Sequence, residues 1–341
     1  MNEPLPETAE LVGLGSGSRL LARFPMLRGD GSEFEQYRAP SPQFPRSLAD
    51  GTEADKPGVQ KPNAEQHEGC CADGNCVCRG DDPSDDALDH AGPFETNSYP
   101  LSPVSTFGKS FGGGTVYYPT NATGPLSGVV MCPGFTALQS SIQDWGPFFA
   151  SHGIVLVTID TSTPLDQVTT RAAALWDALN VLKAENTRSG SPLAGKLSKD
   201  RYGLAGWSMG GGGTWIVTRD HPELKSAVTL AGHNLTAGGG TVALGSKVPT
   251  LMLNGSLDTT LLGGLGQSQA AYDAIDDATP KLLYEMALDD HFSWSTPTVN
   301  GNAAGRYVMA WEKVYLEGDA RYRSFLLERG PLASVWESNL R

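Results

Sequence analysis

From about residue 92 the chain alternates short apolar runs with longer amphipathic ones. "GVVMCPG" (128–134), "GIVLVTID" (153–160), "YGLAGWS" (202–208), "SAVTLAG" (226–232), "VPTLMLNGS" (248–256) and "KLLYEMAL" (281–288) are rich in β-branched residues or leucine. Runs that are apolar throughout, not at every second position, predict strands buried on both faces. "TFGKSFGGGTVYYP" (106–119) predicts an opening hairpin with "GTVYYP" as its second strand. Between the strands, "DQVTTRAAALWDALNVLKAEN" (166–186) sets Val168, Ala172, Leu175, Leu179 and Leu182 on one helical stripe. "GQSQAAYDAIDD" (266–277) and "AAGRYVMAWEKVYLEG" (303–318) predict further helices. Strands alternating with helices predict an α/β fold, a mostly parallel, doubly wound sheet flanked by helices.

Upstream the texture is different. Residues 1–91 are rich in Pro, Gly, Ser, Asp and Glu and carry 17 acidic against 8 basic side chains, most of the net charge of −13. Such a stretch buries too little apolar surface to offset its ordering entropy, so a disordered or loosely structured extension is expected over 1–91, with the folded domain at 92–341. Four of the five cysteines lie in it, Cys70, Cys71, Cys76 and Cys78. They read as a disulfide knot or as incidental thiols, with a soft-metal site as a third reading, since the spacing is not that of a C-x₂-C module. No basic block points to nucleic acid. No apolar run reaches the ~18 residues of a membrane helix. No basic n-region followed by an apolar block marks a signal peptide, so either the chain stays in the cell or a leader is missing.

The chemistry gathers at "GWSMGGGGTW" (206–215), where four glycines follow one serine. A glycine weakens a helix interior by roughly 0.8–1.0 kcal/mol relative to alanine, so a run of four implies backbones in close approach. Strand, sharp turn at Ser208 and helix form the pattern of a nucleophile elbow, which requires an acid and then a histidine later in the chain. Asp258 follows "VPTLMLNG" and His291 follows "KLLYEMAL", both just beyond strands and in the required order. A serine hydroxyl needs an imidazole to take its proton, and the imidazole needs a carboxylate on its other nitrogen. For a developing oxyanion, the expected donors are the backbone amides of Met209 and Phe135, the latter after Pro133-Gly134.

Competing residues fit less well. His233 precedes Asp258; Asp289 and Asp290 stand too near His291 in sequence to reach its far nitrogen; Asp160 precedes the serine. His152 and His221 read as helix-end residues, His67 and His90 lie in the extension, and Cys132 reads as a core thiol.

"GTVYYPTNATG", "CPGFTALQSSIQDWGPFFASHGIVLVTIDT", "GWSMGGGG", "PTLMLNGSLDTT", "HF" (291–292) and "GDARYRSFL" together make the chain resemble the bacterial cutinase and polyester (PET) hydrolases over about 92–330. The resemblance implies an α/β-hydrolase fold without a lid, a Ser208-His291-Asp258 triad, no cofactor, and a secreted, monomeric enzyme at work outside the cytoplasm. It also implies a shallow substrate groove, here assigned to Phe135, Trp207, His233 and Phe292. Some members bind calcium, but no metal ligand is assigned here. Two departures stand out. The family's Pro-Trp beside the groove reads here as Gly232-His233, and the family's C-terminal disulfide has no counterpart, since no cysteine follows Cys132. Phe292 and Trp294 either replace the missing apolar surface or pack beneath the histidine loop. The expected activity is hydrolysis of polyester, cutin-type or acylglycerol esters. The alternatives are a small-molecule esterase or lipase without polymer activity, and a non-catalytic binding protein on the same scaffold.

Overall fold

The computed structural model describes residues 76–103, 110–234, 242–259 and 264–341. Nine strands form one sheet: β1 (Thr96–Leu101), β2 (Phe111–Pro119), β3 (Leu126–Cys132), β4 (Val155–Thr161), β5 (Leu197–Trp207), β6 (Ser226–Leu230), β7 (Thr250–Gly255), β8 (Lys281–Met286) and β9 (Ala333–Ser338). Their order is β1-β2-β4-β3-β5-β6-β7-β8-β9. The six strands from β4 to β8 in that order run parallel, while β1, β2 and β9 are antiparallel additions at the edges. All six apolar runs read from the sequence fall on the parallel strands.

The helices are α1 (Asp85–Asp89), α2 (Trp145–Ser151), α3 (Val168–Glu185), α4 (Met209–Asp220), α5 (Gly264–Ala274), α6 (Ala303–Trp311) and α7 (Arg323–Leu327). Both faces of the sheet are covered, which explains the unbroken apolar runs. Within β3, Val129 and Met131 pack into one core with Trp145, Phe149 and the α6 residues. Val130 and Cys132 point the other way, into a core built on Leu175, Leu179 and Leu182 of α3. The expected α3 stripe is buried in full, and each large aliphatic side chain removed from water contributes roughly 1.5–3 kcal/mol. The helix at 303–318 ends earlier than expected: after Trp311 it widens into a π-helical turn, Glu312–Leu316.

Two expectations are corrected. The partner of β2 in the opening hairpin is Thr96–Leu101, upstream of "TFGKSF"; residues 104–109 lie outside the described residues. The boundary at 91 also falls inside packed structure. Leu88 of α1 is buried in the core, Arg306 pairs with Asp85 and Asp89, and the Val77 amide donates to Glu317 O at 2.9 Å. The Arg79 guanidinium is paired with the Glu317 carboxylate, which also accepts from Lys313 Nζ at 2.7 Å and Ser127 Oγ at 3.2 Å. Burial pulls the Glu317 carboxyl upward, but Lys313 and Arg79 outweigh it and hold it below the usual range. Polar composition concealed this segment because charge pairs and one leucine anchor it. Cys76 and Cys78 are each in a disulfide, and with 3.7 Å between their sulfurs the bond is not to each other. Cys70, Cys71 and the rest of 1–75 lie outside the described residues.

Candidate active site

The elbow sits where β5 turns into α4. Ser208 has φ 55° and ψ −123°, a conformation that non-glycine residues rarely adopt and that stores about 1–3 kcal/mol. Three backbone bonds hold it: Ser208 N donates to Leu230 O at 2.9 Å, and Ser208 O accepts from Gly212 N at 3.1 Å and His233 N at 2.9 Å. The glycine run answers to close packing. A Cβ on Gly210 would lie 2.1 Å from Cys132 O, and one on Gly212 would lie 2.1 Å from His233 O. Helix α4 therefore seats directly on the ends of β3 and β6.

Two neighbouring loops bring the other groups. Asp258 follows β7 and His291 follows β8, and the loops are joined by Ser256 N to Met286 O at 3.0 Å and Leu257 N to Asp289 O at 2.8 Å. His291 Nδ1 donates to Asp258 Oδ2 at 2.7 Å, and Ser208 Oγ donates to His291 Nε2 at 2.8 Å. Ser208, His291 and Asp258 are all buried, so little bulk water competes for these bonds. The Trp207 indole N–H fixes the histidine from below by donating to His291 O at 2.7 Å.

Two of the rival carboxylates are engaged elsewhere. Asp290 accepts from Phe292 N at 2.8 Å and caps the turn after His291, while Asp160 accepts from the Gln139 amide and side chain. His152 and His221 end α2 and α4 as expected. Cys132 is buried and free, and burial pushes its thiol up to about 11, which rules out a thiolate nucleophile at neutral pH.

The amides of Met209 and Phe135 flank the elbow. Among the described residues neither donates to an acceptor within the protein. Gly134 lies against the nucleophile so closely that a Cβ there would stand 2.9 Å from Ser208 Cβ. Phe135 and Phe292 are exposed, at 39% and 68%, and give the site an apolar rim.

The expected groove residues Trp207 and His233 are corrected. Trp207 is buried under His291 and Phe292, with its N–H engaged. His233 is 2% exposed, and neither ring nitrogen has a hydrogen-bond partner. Burial, with neighbouring His291, pushes its pKa down to about 4, so the ring is neutral. Of the two readings of Trp294, the structure selects packing: the ring is wholly buried, and its carbonyl accepts from Trp145 Nε1 at 2.9 Å. Among the described residues, no group of three or more His, Cys, Asp or Glu side chains is arranged to hold a metal ion.

A profile described as PET hydrolase-like matches residues 71–338. The chain belongs to that family. It is 34% identical over 250 residues to a bis(hydroxyethyl) terephthalate hydrolase of Streptomyces coelicolor, covering 73% of this chain and 76% of that protein. It is 34% identical over 249 residues to cutinase 1 of Thermobifida cellulosilytica, covering 73% and 90%, and to a cutinase of Thermobifida fusca, covering 73% and 78%. The PET hydrolase-like fold is an α/β-hydrolase, and the mostly parallel nine-stranded sheet agrees with it. The match begins at 71 and so takes in Cys71, Cys76 and Cys78 of the segment that the sequence assigned to an extension.

Proposed function

We propose that this protein is a serine carboxylic-ester hydrolase that cleaves polyester, cutin-type or acylglycerol esters. The observation that carries the reading is the unbroken hydrogen-bond chain from Asp258 through His291 to Ser208. Ser208 Oγ attacks the ester carbonyl while His291 Nε2 takes its proton. Asp258 holds the Nδ1–H tautomer and stabilises the imidazolium. The Met209 and Phe135 amides receive the charge that develops on the carbonyl oxygen. Collapse of the tetrahedral species expels the alcohol, protonated from Nε2, and leaves an acyl-Ser208 ester. Water, deprotonated by the same nitrogen, then releases the acid and restores the serine.

The substrate assignment rests on the family, on the names of the relatives and on the exposed phenylalanines, which suit an apolar chain laid across the mouth. With His233 buried where the resemblance set an aromatic clamp, aliphatic polyesters are preferred over aromatic ones. Among the described residues no helix is long and apolar enough to cross a membrane. The disulfides at Cys76 and Cys78 favour an oxidising compartment outside the cytoplasm, where the enzyme acts as a monomer.

The test compares soluble acid released from an aliphatic polyester film with turnover of p-nitrophenyl butyrate, using the wild type and Ser208→Ala. Both activities, and labelling by a fluorophosphonate, are lost in the variant. Turnover of the soluble ester alone would reject the polymer assignment. Undiminished labelling of Ser208→Ala would reject the nucleophile.

A further inference from the structure

Arg171 lies on the apolar stripe of α3, 0% exposed, three residues after Val168. A guanidinium with no access to water requires partners for its donors, and burying it without them is prohibitively unfavourable. Its partners are backbone carbonyls. Nη1 donates to Pro133 O at 3.0 Å, Nη2 to Pro164 O at 2.8 Å and Nε to Asp166 O at 2.9 Å. The Asp166 carboxylate is turned away, accepting from Thr163 N at 3.0 Å and Thr163 Oγ1 at 2.8 Å.

These acceptors surround the Phe135 amide. Pro133 O lies on one side of it along the chain. On the other side Thr136 N donates to Pro164 O at 2.8 Å, the carbonyl that also accepts from Arg171. The segment Pro133–Thr136 is thus tied to Arg171 directly at Pro133 and through the shared Pro164 carbonyl at Thr136, and Gly210 of the elbow helix presses on Pro133 O from beneath. Electrostatic stabilisation of a transition state depends on donors fixed beforehand, and an error of a few tenths of an ångström weakens them. We propose that Arg171 is a positioning residue that fixes the Phe135 N–H toward the reacting oxygen by bridging the loops after β3 and β4. The proposal rests on the ester hydrolase reading above and assigns Arg171 no contact with substrate.

The experiment measures p-nitrophenyl butyrate hydrolysis by Arg171→Met and Arg171→Lys, with active sites counted by fluorophosphonate titration so that unfolded molecules drop out. Per titrated site, kcat falls about 10–100-fold in Arg171→Met, part of the ~10²–10³ lost when a whole oxyanion donor is removed. KM stays within about threefold, because the ground-state carbonyl gains little from these donors. Affinity for an alkyl boronic acid, whose tetrahedral adduct occupies the oxyanion position, falls in parallel with kcat, while inhibition by the product acid is unchanged. Arg171→Lys keeps the charge but not the fork, and shows an intermediate loss. Should Arg171→Met yield no titratable sites, the lysine variant decides. Wild-type kcat per site and wild-type boronate affinity in the variant that folds would overturn the proposal. Because Ser208→Ala is run alongside, an inactive Ser208→Ala with unimpaired Arg171 variants rejects only the positioning role. An active Ser208→Ala rejects the underlying mechanism.

Discussion

The residue before the nucleophile holds the backbone of the base: Trp207 Nε1 donates to His291 O at 2.7 Å. Nucleophile and imidazole are 83 positions apart in the chain, yet this bond ties their loops within one residue of the elbow. Replacing Trp207 by phenylalanine keeps most of the ring but leaves a buried carbonyl without its donor, which costs about 1–3 kcal/mol. The expected result is a lower melting temperature and a several-fold fall in kcat per titrated site. An unchanged kcat would show that the indole only fills space.

The segment before residue 92 contributes stability. Arg79→Met removes one of two cations from the buried Glu317 carboxylate, leaving Lys313 alone to compensate it. Breaking a buried pair on one side costs about 3 kcal/mol at the low end of its range. Urea unfolding of the full chain measures this loss. A midpoint equal to that of wild type would mean that the segment is an ornament on the domain.

Glu312 sits in the π-helical turn, wholly buried, accepting from Ser226 Oγ. Burial, reinforced by Glu317, pushes its carboxyl up to about 8 from an ordinary 4.5. Between these values the folded protein holds a proton that the unfolded chain has released. Its contribution is complete below about 4.5 and declines as pH rises through about 8. Glu312→Gln removes that slope, so its stability relative to wild type increases from pH 5 to pH 9. Parallel urea midpoints for the two proteins at pH 5, 7 and 9 would refute this.

His233 carries the opposite sign. Burial together with His291 depresses its pKa to about 4 from 6.5, so its neutral form supports the fold above 6.5 and that support is lost as pH falls through about 4. His233→Leu deletes two unpartnered nitrogens, and the expected change at pH 7 is neutral to stabilising. Its acid limb between pH 6.5 and 4 is shallower than that of wild type. Part of the slope remains, because His152 is buried and depressed to about 4 as well. Equal acid limbs in thermal melts would count against the assignment.

The parallel strands were legible because burial on both faces writes itself as uninterrupted apolar runs. The three polar groups at the elbow were legible because each follows such a run at its carboxyl end. The edges were not. Strand β9, "ASVWES", is half-buried and polar, and β1 carries Pro100, which an outer strand tolerates but which reads as a break. Helix α2 contains Gly146 and Pro147 in its first turn and shows no stripe. Arg171 stood in plain view on an apolar face, but its partners are backbone carbonyls, of the turn just before α3 and of the distant loop after β3, and no side-chain pattern encodes them. Trp207 was placed in the groove as the neighbour of Ser208, and His233 because it stands where the resembled family has its tryptophan; both side chains are buried.

The contacts at Gly210 and Gly212 also constrain anyone who wishes to toughen this enzyme. Exchanging helical glycines for alanine is a routine route to heat resistance, since it restricts the denatured chain. At Gly210 and Gly212 that route is closed, because an added methyl would collide with the carbonyl of Cys132 or of His233. Hardening must therefore be sought on the solvent side of α3 or at the chain's outer strands, leaving the helix behind the nucleophile as bare as it stands.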